Sequence, residues 1–199
     1  MNLVELVRTR RMTRAFRSEP VPTDVFIECV DLARRSPSAG NSQGWNLLVW
    51  SGQETNRYWD IAFPKDKRDG FAFPGLLRAP VLALVLADQR AYLERYSEPD
   101  KSGQRLGESA GNWVAPYWTI DASFATMTLM LALHDRGLGT LFFAHAQSGE
   151  LRSEFGIPDT VEILGVLAVG YADESGGVQG RSAGRARRSA HDIIHRDRW

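Results

Sequence analysis

The sequence predicts an α+β fold in which a central mixed β-sheet is flanked by helices. Residues 80–87 and 161–171 are almost continuously apolar, which is typical of central strands that are covered on both faces. Residues 120–136 lie between them and have apolar side chains on nearly every side, as expected of a helix in the core. With 199 residues, 43% of them hydrophobic, the chain is expected to form one domain over residues 1–199.

Shorter patterns predict the elements that precede these strands. Apolar side chains at helical spacing in residues 3–7 indicate a short helix. Residues 23–35 also have helical spacing and end at a Ser-Pro pair, where a helix stops. Residues 36–44 then form a loop rich in small and polar side chains, and residues 45–50 form a strand.

Other stretches are predicted to be irregular. Residues 63–75 and 97–112 contain charged or polar residues interrupted by Gly and Pro, so both are expected to be loops or lids. Residues 173–184 are rich in Gly and Ser, which indicates an extended tail. The aromatic stretch at 113–118 fits a pocket wall, the core or a subunit interface.

Composition and charge exclude several classes of protein. The formal net charge is zero, which disfavours a uniformly basic nucleic-acid-binding protein. Cys29 is the single cysteine and lies in an apolar-periodic stretch, so we expect a buried structural thiol and neither a disulfide nor a zinc site. The N-terminus carries Glu5 and no apolar run of signal-peptide or membrane-spanning length. We therefore expect a cytoplasmic protein that does not interact with membranes.

Two clusters of arginine lie near the two ends of this neutral chain. Arginine offers a planar set of N–H donors that matches phosphate oxygens, so an anion that brings the chain ends together is one interpretation. A solvated basic surface is the other, and charge alone does not decide between them. No phosphate-binding glycine loop is present, so side chains would have to hold a phosphate. The clusters are Arg8, Arg10, Arg11, Arg14 and Arg17, and Arg181, Arg185, Arg187 and Arg188.

Four motifs together resemble the FMN-dependent nitroreductase family. They occur in the family's order and with roughly its spacing, and they cover nearly the whole chain. They are RRMTRAF at 10–16, SPSAGNSQGW at 36–45, GLGT at 137–140, and RARR at 185–188 with the segment HDIIHRDRW that follows it.

The resemblance implies a set of residues that contact FMN. Around its phosphate it implies Arg10, Arg14, Arg185 and Arg187, with Arg11 near the ribityl chain or the ring. For Arg11 and Arg188, surface salt bridges are an equal alternative. Met12 would also lie at the flavin, and Ala144, in the stretch 143–145, would lie near flavin N5.

The resemblance also implies a homodimer in which the flavin lies between subunits. Pro37, Ser38, Ala39, Asn41 and Gln43 would contact the ring of the partner's flavin. For Asn41 and Gln43, local turn capping is the alternative. Residues 189–199 would reach across to the partner through Ile193, Ile194 and Trp199.

The implied activity is an oxidoreductase in which hydride passes from NADH or NADPH to flavin N5. A nitroaromatic, a quinone or a similar flat small aromatic acceptor then takes it at the same ring face. No catalytic side chain or metal is expected, because the cofactor carries the chemistry. A non-catalytic FMN-binding protein, or another flavin reaction on the same fold, remains an alternative. The chain departs from the family at Met12, where a serine is frequent, and at Gly44, where a proline is common.

Overall fold

The computed structural model describes residues 1–176, 180, 182 and 184–199. Within these residues the helices are α1 (Leu3–Thr9), α2 (Thr23–Ala33), α3 (Thr55–Ala62), α4 (Gln89–Ser97), α5 (Tyr117–Asp135) and α6 (Ser148–Phe155). The strands are β1 (Trp45–Ser51), β2 (Val81–Asp88), β3 (Gly139–Phe143) and β4 (Val161–Gly170). Short 3-10 turns lie in several of the connections between them.

The strands form a sheet in the order β1-β2-β4-β3. Each neighbouring pair is antiparallel. The predicted α+β class is therefore confirmed, but the sheet is antiparallel where a mixed one was expected. The segment before α2 runs parallel to β3, yet among the described residues it adds only one isolated parallel bridge, between Met12 and Thr140.

The core lies on both faces of the sheet, as the apolar strands predicted. Side chains alternate along a strand, so Leu82 and Leu84 of β2 pack in one cluster with Trp59 of α3. Val85, from the opposite face of β2, packs in a second cluster with Leu129 of α5. Both faces are therefore apolar, which explains the unbroken hydrophobic run in β2.

Helix α5 is only half covered by this chain. It begins at Tyr117, directly after Pro116, and ends at Asp135, which is close to the predicted bounds. Leu129 is completely buried on its inner side. On its outer side Phe124 is 50% exposed and Met127 is 40% exposed. The all-round apolar pattern therefore includes a face that no other described part of the chain covers.

The predicted irregular regions are largely confirmed. Residues 63–75 and 97–112 contain 3-10 turns and loops, apart from the first residue of the second stretch, which ends α4. The predicted tail at 173–184 begins with a turn, and its residues 177–179, 181 and 183 lie outside the described residues. The short helices α3, α4 and α6 were not predicted from the sequence.

No helix among the described residues is long and apolar enough to cross a lipid bilayer.

Two side chains of the aromatic stretch at 113–118, whose last two residues begin α5, pack in the core. Trp113 and Trp118 pack with the ring of Tyr92. The indole nitrogen of Trp113 donates to the Leu106 carbonyl at 2.9 Å, and that of Trp118 donates to the Glu162 carboxylate at 2.7 Å. Since both indoles are packed and hydrogen-bonded, the core interpretation of this stretch is the one that the structure supports.

Candidate functional site

The first arginine cluster is held at the C-terminal end of α5. Helix α1 begins with a capping box between Asn2 and Glu5 and ends just before Arg10. The amino group of Met1 forms an ion pair with Asp135 at 2.5 Å, and the Thr9 hydroxyl is 2.8 Å from His134 Nε2. These contacts fix the direction in which the chain leaves α1, and therefore the place of the arginines that follow.

Arg10 has the most unusual electrostatic environment in this cluster. Its Nη1 atom is buried and has no hydrogen-bond partner among the described residues. Burial, and then the positive charges of Arg11 and Arg187, lower the pKa of Arg10. The two ends of the chain therefore meet here, with like charges close together and a buried donor left unsatisfied. An anion would relieve both effects, because it supplies an acceptor and a negative charge.

The other arginines of the two clusters fall into different environments. The Arg14 guanidinium carbon lies 5.8 Å from the centre of the Phe73 ring, and a Cβ at Gly180 would lie only 2.6 Å from it. The C-terminal segment thus passes directly over Arg14. Arg185 and Arg187 are exposed and so accessible to a ligand.

The Arg11 side chain contacts the main chain of its own segment. Its Nη1 atom donates to the carbonyls of Arg8 at 2.6 Å and Arg10 at 2.9 Å, which folds the side chain back onto its own backbone. Arg188 likewise donates to a main-chain carbonyl, that of Asp192. Arg17 pairs with Glu19 at 3.1 Å, which is a surface ion pair.

Strand β3 connects the arginine cluster to Ala144. The Thr13 N–H donates to the Thr140 carbonyl at 2.9 Å, which places Met12 beside the start of this strand. Ala144 follows the last residue of β3 and is exposed. At about 3.3 Å per residue, Ala144 lies about 13 Å along the strand from Thr140. These predicted site residues therefore line one elongated region.

The loop at residues 37–43 has an unusual backbone. Gly40, Asn41 and Gln43 have φ angles of 60°, 59° and 55°, in the left-handed region. Ser38 stabilises the turn, since its hydroxyl accepts from the Gln43 N–H at 3.1 Å and its carbonyl from the Asn41 N–H at 2.8 Å. The Gln43 side chain donates to the Asn41 carbonyl at 3.5 Å, a weak turn contact, and the Asn41 side chain has no hydrogen bond to the described residues.

The same loop is anchored at the opposite end of α5 from the arginines. The Ala39 N–H donates to the Asp121 carboxylate at 2.8 Å, whereas Thr9 contacts His134. These two positions on α5 are thirteen residues apart, which is about 20 Å at 1.5 Å per residue. One chain therefore does not bring Pro37, Ser38 and the rest of the loop to its own arginine cluster.

Sequence reasoning missed the residues that hold this loop in place. The buried Asp121 carboxylate also accepts from the Tyr92 hydroxyl at 2.8 Å, and Arg95 Nε donates to the Gly40 carbonyl at 2.8 Å. The predicted helix begins at residue 120, where the helix dipole would account for an acid at Asp121, but α5 begins at Tyr117 and Asp121 lies in its second turn. The sequence did contain one indication that Asp121 has a further role, because it is a charged residue in a largely apolar helix.

Histidine and acidic side chains do not gather into a metal site in the described part of the chain. His145 Nε2 lies 2.7 Å from the Ser148 hydroxyl, and burial lowers its pKa. Among the described residues no three His, Cys, Asp or Glu side chains are gathered closely enough to hold a metal ion.

Comparison with known proteins identifies the family to which this chain belongs. Residues 7–171 match the family model described as "Nitroreductase family". The chain is a member of the nitroreductase family. The match includes both the first arginine cluster and the loop at 37–43.

Individual relatives are similar over most of their length. An NADH dehydrogenase of Thermus thermophilus is 28% identical over 84% of this chain and 85% of its own. A chloronitrobenzene nitroreductase of Comamonas testosteroni is 27% identical, over 91% of each chain. A protein of Exiguobacterium sibiricum, assigned as a nitroreductase and crystallised in complex with FMN, has a TM-score of 0.72 at 18% identity, over 98% of this chain and 97% of that one. The nitroreductase-like fold predicted from the motifs is thus confirmed.

The structure explains one of this chain's two departures from the family pattern. A Cβ at Gly44 would lie 2.6 Å from both the Asp88 carbonyl oxygen and the Tyr92 ring, so glycine is required by the closeness of α4. Met12 is 36% exposed beside β3, and nothing in the structure explains why it replaces a serine.

Proposed function

We propose that the protein is an FMN-dependent oxidoreductase that uses NADH or NADPH to reduce nitroaromatic, quinone or similar flat acceptors. The observation that carries the proposal is the buried, unpaired Nη1 of Arg10 beside the charges of Arg11 and Arg187. Positive charges gathered without a counter-charge are unfavourable unless an anion joins them. A phosphate at the end of an elongated cofactor is an anion of the right geometry for arginine.

The residues available at this position fit the FMN phosphate. Arg10 and Arg187 would contact its oxygens, with Arg14 and Arg185 completing the positive surface. The Arg11 guanidinium is occupied by main-chain carbonyls, so we assign it to shaping the segment. Ala144, about 13 Å further along β3, would lie near the ring, where its backbone N–H could donate to the flavin.

The proposed site is completed by a second copy of the chain. The loop at 37–43 lies about 20 Å along α5 from the arginines of the same chain, so the partner's loop would contact each ring. Large apolar side chains are exposed on α1, α5 and the C-terminal segment, and a partner subunit would cover them. They are Leu3, Val4, Val7, Phe124, Met127, Ile193, Ile194 and Trp199.

The protein's part in the reaction is to bind and orient. FMN, when bound, supplies a ring that takes a hydride from the nicotinamide and passes it to the acceptor. The loop at 37–43 and the residues around Ala144 would hold the ring and limit its contact with water. Flat substrates would then be held mainly by stacking, which implies broad acceptor specificity.

Absorbance spectra of the purified protein test this function directly. After incubation with FMN and removal of free cofactor, we expect a flavin spectrum that NADH or NADPH bleaches anaerobically and a nitroaromatic or quinone restores. Failure to retain FMN would refute the proposal. Retention without bleaching by either donor would favour the non-catalytic FMN-binding alternative or another flavin reaction.

A double variant tests the phosphate contacts. Arg10→Ala with Arg187→Ala removes two charge-assisted interactions of roughly 1.5 to 3 kcal/mol each, so FMN affinity should fall at least about 100-fold. Arg57→Ala with Arg105→Ala is the matched control, because it removes two exposed arginines that form ion pairs elsewhere on the surface. Equal FMN retention by both double variants would show that the phosphate lies elsewhere.

The oligomeric state tests the shared site independently. We expect size-exclusion chromatography with light scattering to report a dimer. A monomer that binds FMN tightly would contradict the assignment of the loop at 37–43 to the partner's flavin.

A further inference from the structure

Asp121 stands out as a buried carboxylate without an ion-pair partner among the described residues. It is 7% exposed, and in that part of the chain it is the only buried charged side chain. A buried charge is unfavourable unless hydrogen bonds compensate for the lost water. Its Oδ2 atom accepts from the Ala39 N–H and from the Tyr92 hydroxyl, each at 2.8 Å. The carboxylate therefore joins the loop at 37–43 to both α4 and α5.

The loop needs such a connection because its backbone is strained and a cavity lies beside it. Two of its left-handed residues, Asn41 and Gln43, are not glycine, and this conformation is unfavourable for them unless the surroundings enforce it. A cavity of about 110 Å³ lies next to the loop. Pro37, Ser38 and Gln43 line it together with Asp121. Hydrogen bonds therefore hold the loop beside this cavity, together with the packing of Gly40 against Tyr96.

The loop has a second polar anchor at the neighbouring peptide. Arg95 of α4 donates to the Gly40 carbonyl at 2.8 Å and pairs with Asp100 at 2.8 Å. The Arg95 side chain is 23% exposed, so water competes for it more than for Asp121. The Asp121 bond to Ala39 is therefore the better shielded of the two.

We propose that Asp121 is a positioning residue, which holds the loop at 37–43 in the conformation that receives the flavin ring of the other subunit. This inference rests on the proposed function, since it assigns a role toward FMN. Asp121 does not itself contact the cofactor in this scheme. It acts through Ala39 and through the Tyr92 hydroxyl, and it thereby determines how tightly the ring is held.

Three variants separate the hydrogen bonds from the charge. Asp121→Ala leaves the Ala39 N–H and the Tyr92 hydroxyl without their acceptor, and we expect FMN to bind roughly tenfold more weakly. Asp121→Asn keeps an oxygen that can accept both bonds, so it should restore most of the affinity. Thr126→Val is the matched control, because Thr126 is buried on the same helix but donates only to the Ala122 carbonyl.

Hydrogen exchange of the loop in flavin-free protein supplies a readout that is independent of the cofactor. We expect the amides of residues 38–43 to exchange about tenfold faster in Asp121→Ala, and at the wild-type rate in Thr126→Val. If Asp121→Ala does not fold, Tyr92→Phe decides, because it removes one of the two donors and should still accelerate exchange. Unchanged exchange in a folded Asp121→Ala or in Tyr92→Phe would overturn the proposal.

The outcomes distinguish this inference from the proposed function. If the wild-type protein binds no FMN, the proposed function fails, and the role of Asp121 toward the flavin fails with it. If the wild-type protein binds FMN and Asp121→Ala binds it equally well, the positioning role is wrong while the proposed function stands. If Asp121→Asn is as impaired as Asp121→Ala, the charge and not the acceptor oxygen is responsible, which also contradicts the proposal.

Discussion

Gly44 offers a sharp test of how closely α4 approaches the first strand. In Gly44→Ala the new Cβ would lie 2.6 Å from the Asp88 carbonyl oxygen and 2.6 Å from Cε2 of Tyr92, where ordinary contacts begin at 3.4 Å. Neither neighbour can withdraw easily. The Asp88 N–H donates to the Gly44 carbonyl at 2.8 Å, and the Tyr92 ring is completely buried.

The magnitude follows from the cost of overpacking. Forcing a methyl group into a tightly packed position costs about 1 to 3 kcal/mol, and the fixed backbone oxygen favours the upper part of this range. For a chain of this length each kcal/mol lowers the melting temperature by about 2 to 4 °C, so we expect a loss of roughly 5 to 10 °C. Gly44→Pro should be at least as destabilising, because its Cβ occupies the same position.

Thermal unfolding of flavin-free protein, followed by circular dichroism, measures this effect without interference from cofactor binding. Gly149→Ala is the control, since its Cβ meets no atom within 4 Å and the position lies inside α6. Alanine in place of a helical glycine should raise stability by about 0.5 to 1 kcal/mol. If Gly44→Ala melts with the wild type, the close contact with Asp88 and Tyr92 does not exist.

Two further predictions concern titratable groups. Burial raises the pKa of the Cys29 thiol. The native protein should therefore not react with a thiol reagent at pH 8, whereas the denatured protein should show one reactive thiol. Equal reaction rates of the native and denatured protein would contradict this prediction. Hydrogen bonds from Ser175, and the charge of Arg78, lower the pKa of Asp173 below its usual 3.8. Its contribution to stability is therefore complete above about pH 4 and is lost as pH falls through the lowered pKa. Urea unfolding of wild type and Asp173→Asn should show a stability difference that shrinks in acid, and a difference independent of pH would refute it.

The sequence was most informative where one pattern extended over many residues. β2, β4 and α5 were predicted within a few residues of their observed ends, because long apolar runs leave few alternatives. Helices α3, α4 and α6 have 8, 9 and 8 residues, and most of their side chains are polar. Short helices of this kind depend on tertiary contacts, which a local pattern does not contain.

In the candidate site, the residues could be predicted from the sequence motifs, but the environment of each side chain could not. Only the resemblance assigns the arginine clusters to a phosphate site, since charge alone fits a solvated surface equally well. That Arg10 is buried while Arg11 folds back onto main-chain carbonyls depends on the exact course of the chain after α1. The sequence pattern places Asp121 in a core helix, but its contact with Ala39 spans 82 residues and appears only in three dimensions.

Helix α5 connects the arginine cluster to the loop at 37–43. Its C-terminal end fixes α1 and the arginines through His134 and Asp135, and its N-terminal end fixes the loop at 37–43 through Asp121. Because the helix keeps these two positions about 20 Å apart, the arginines and the loop at 37–43 of one chain cannot contact the same ligand group. The exposed Phe124 and Met127 lie on the stretch between them. In the proposed dimer, pairing through that face would place the loop of one copy next to the arginines of the other, and this arrangement requires α5 to keep the two sets apart within each chain.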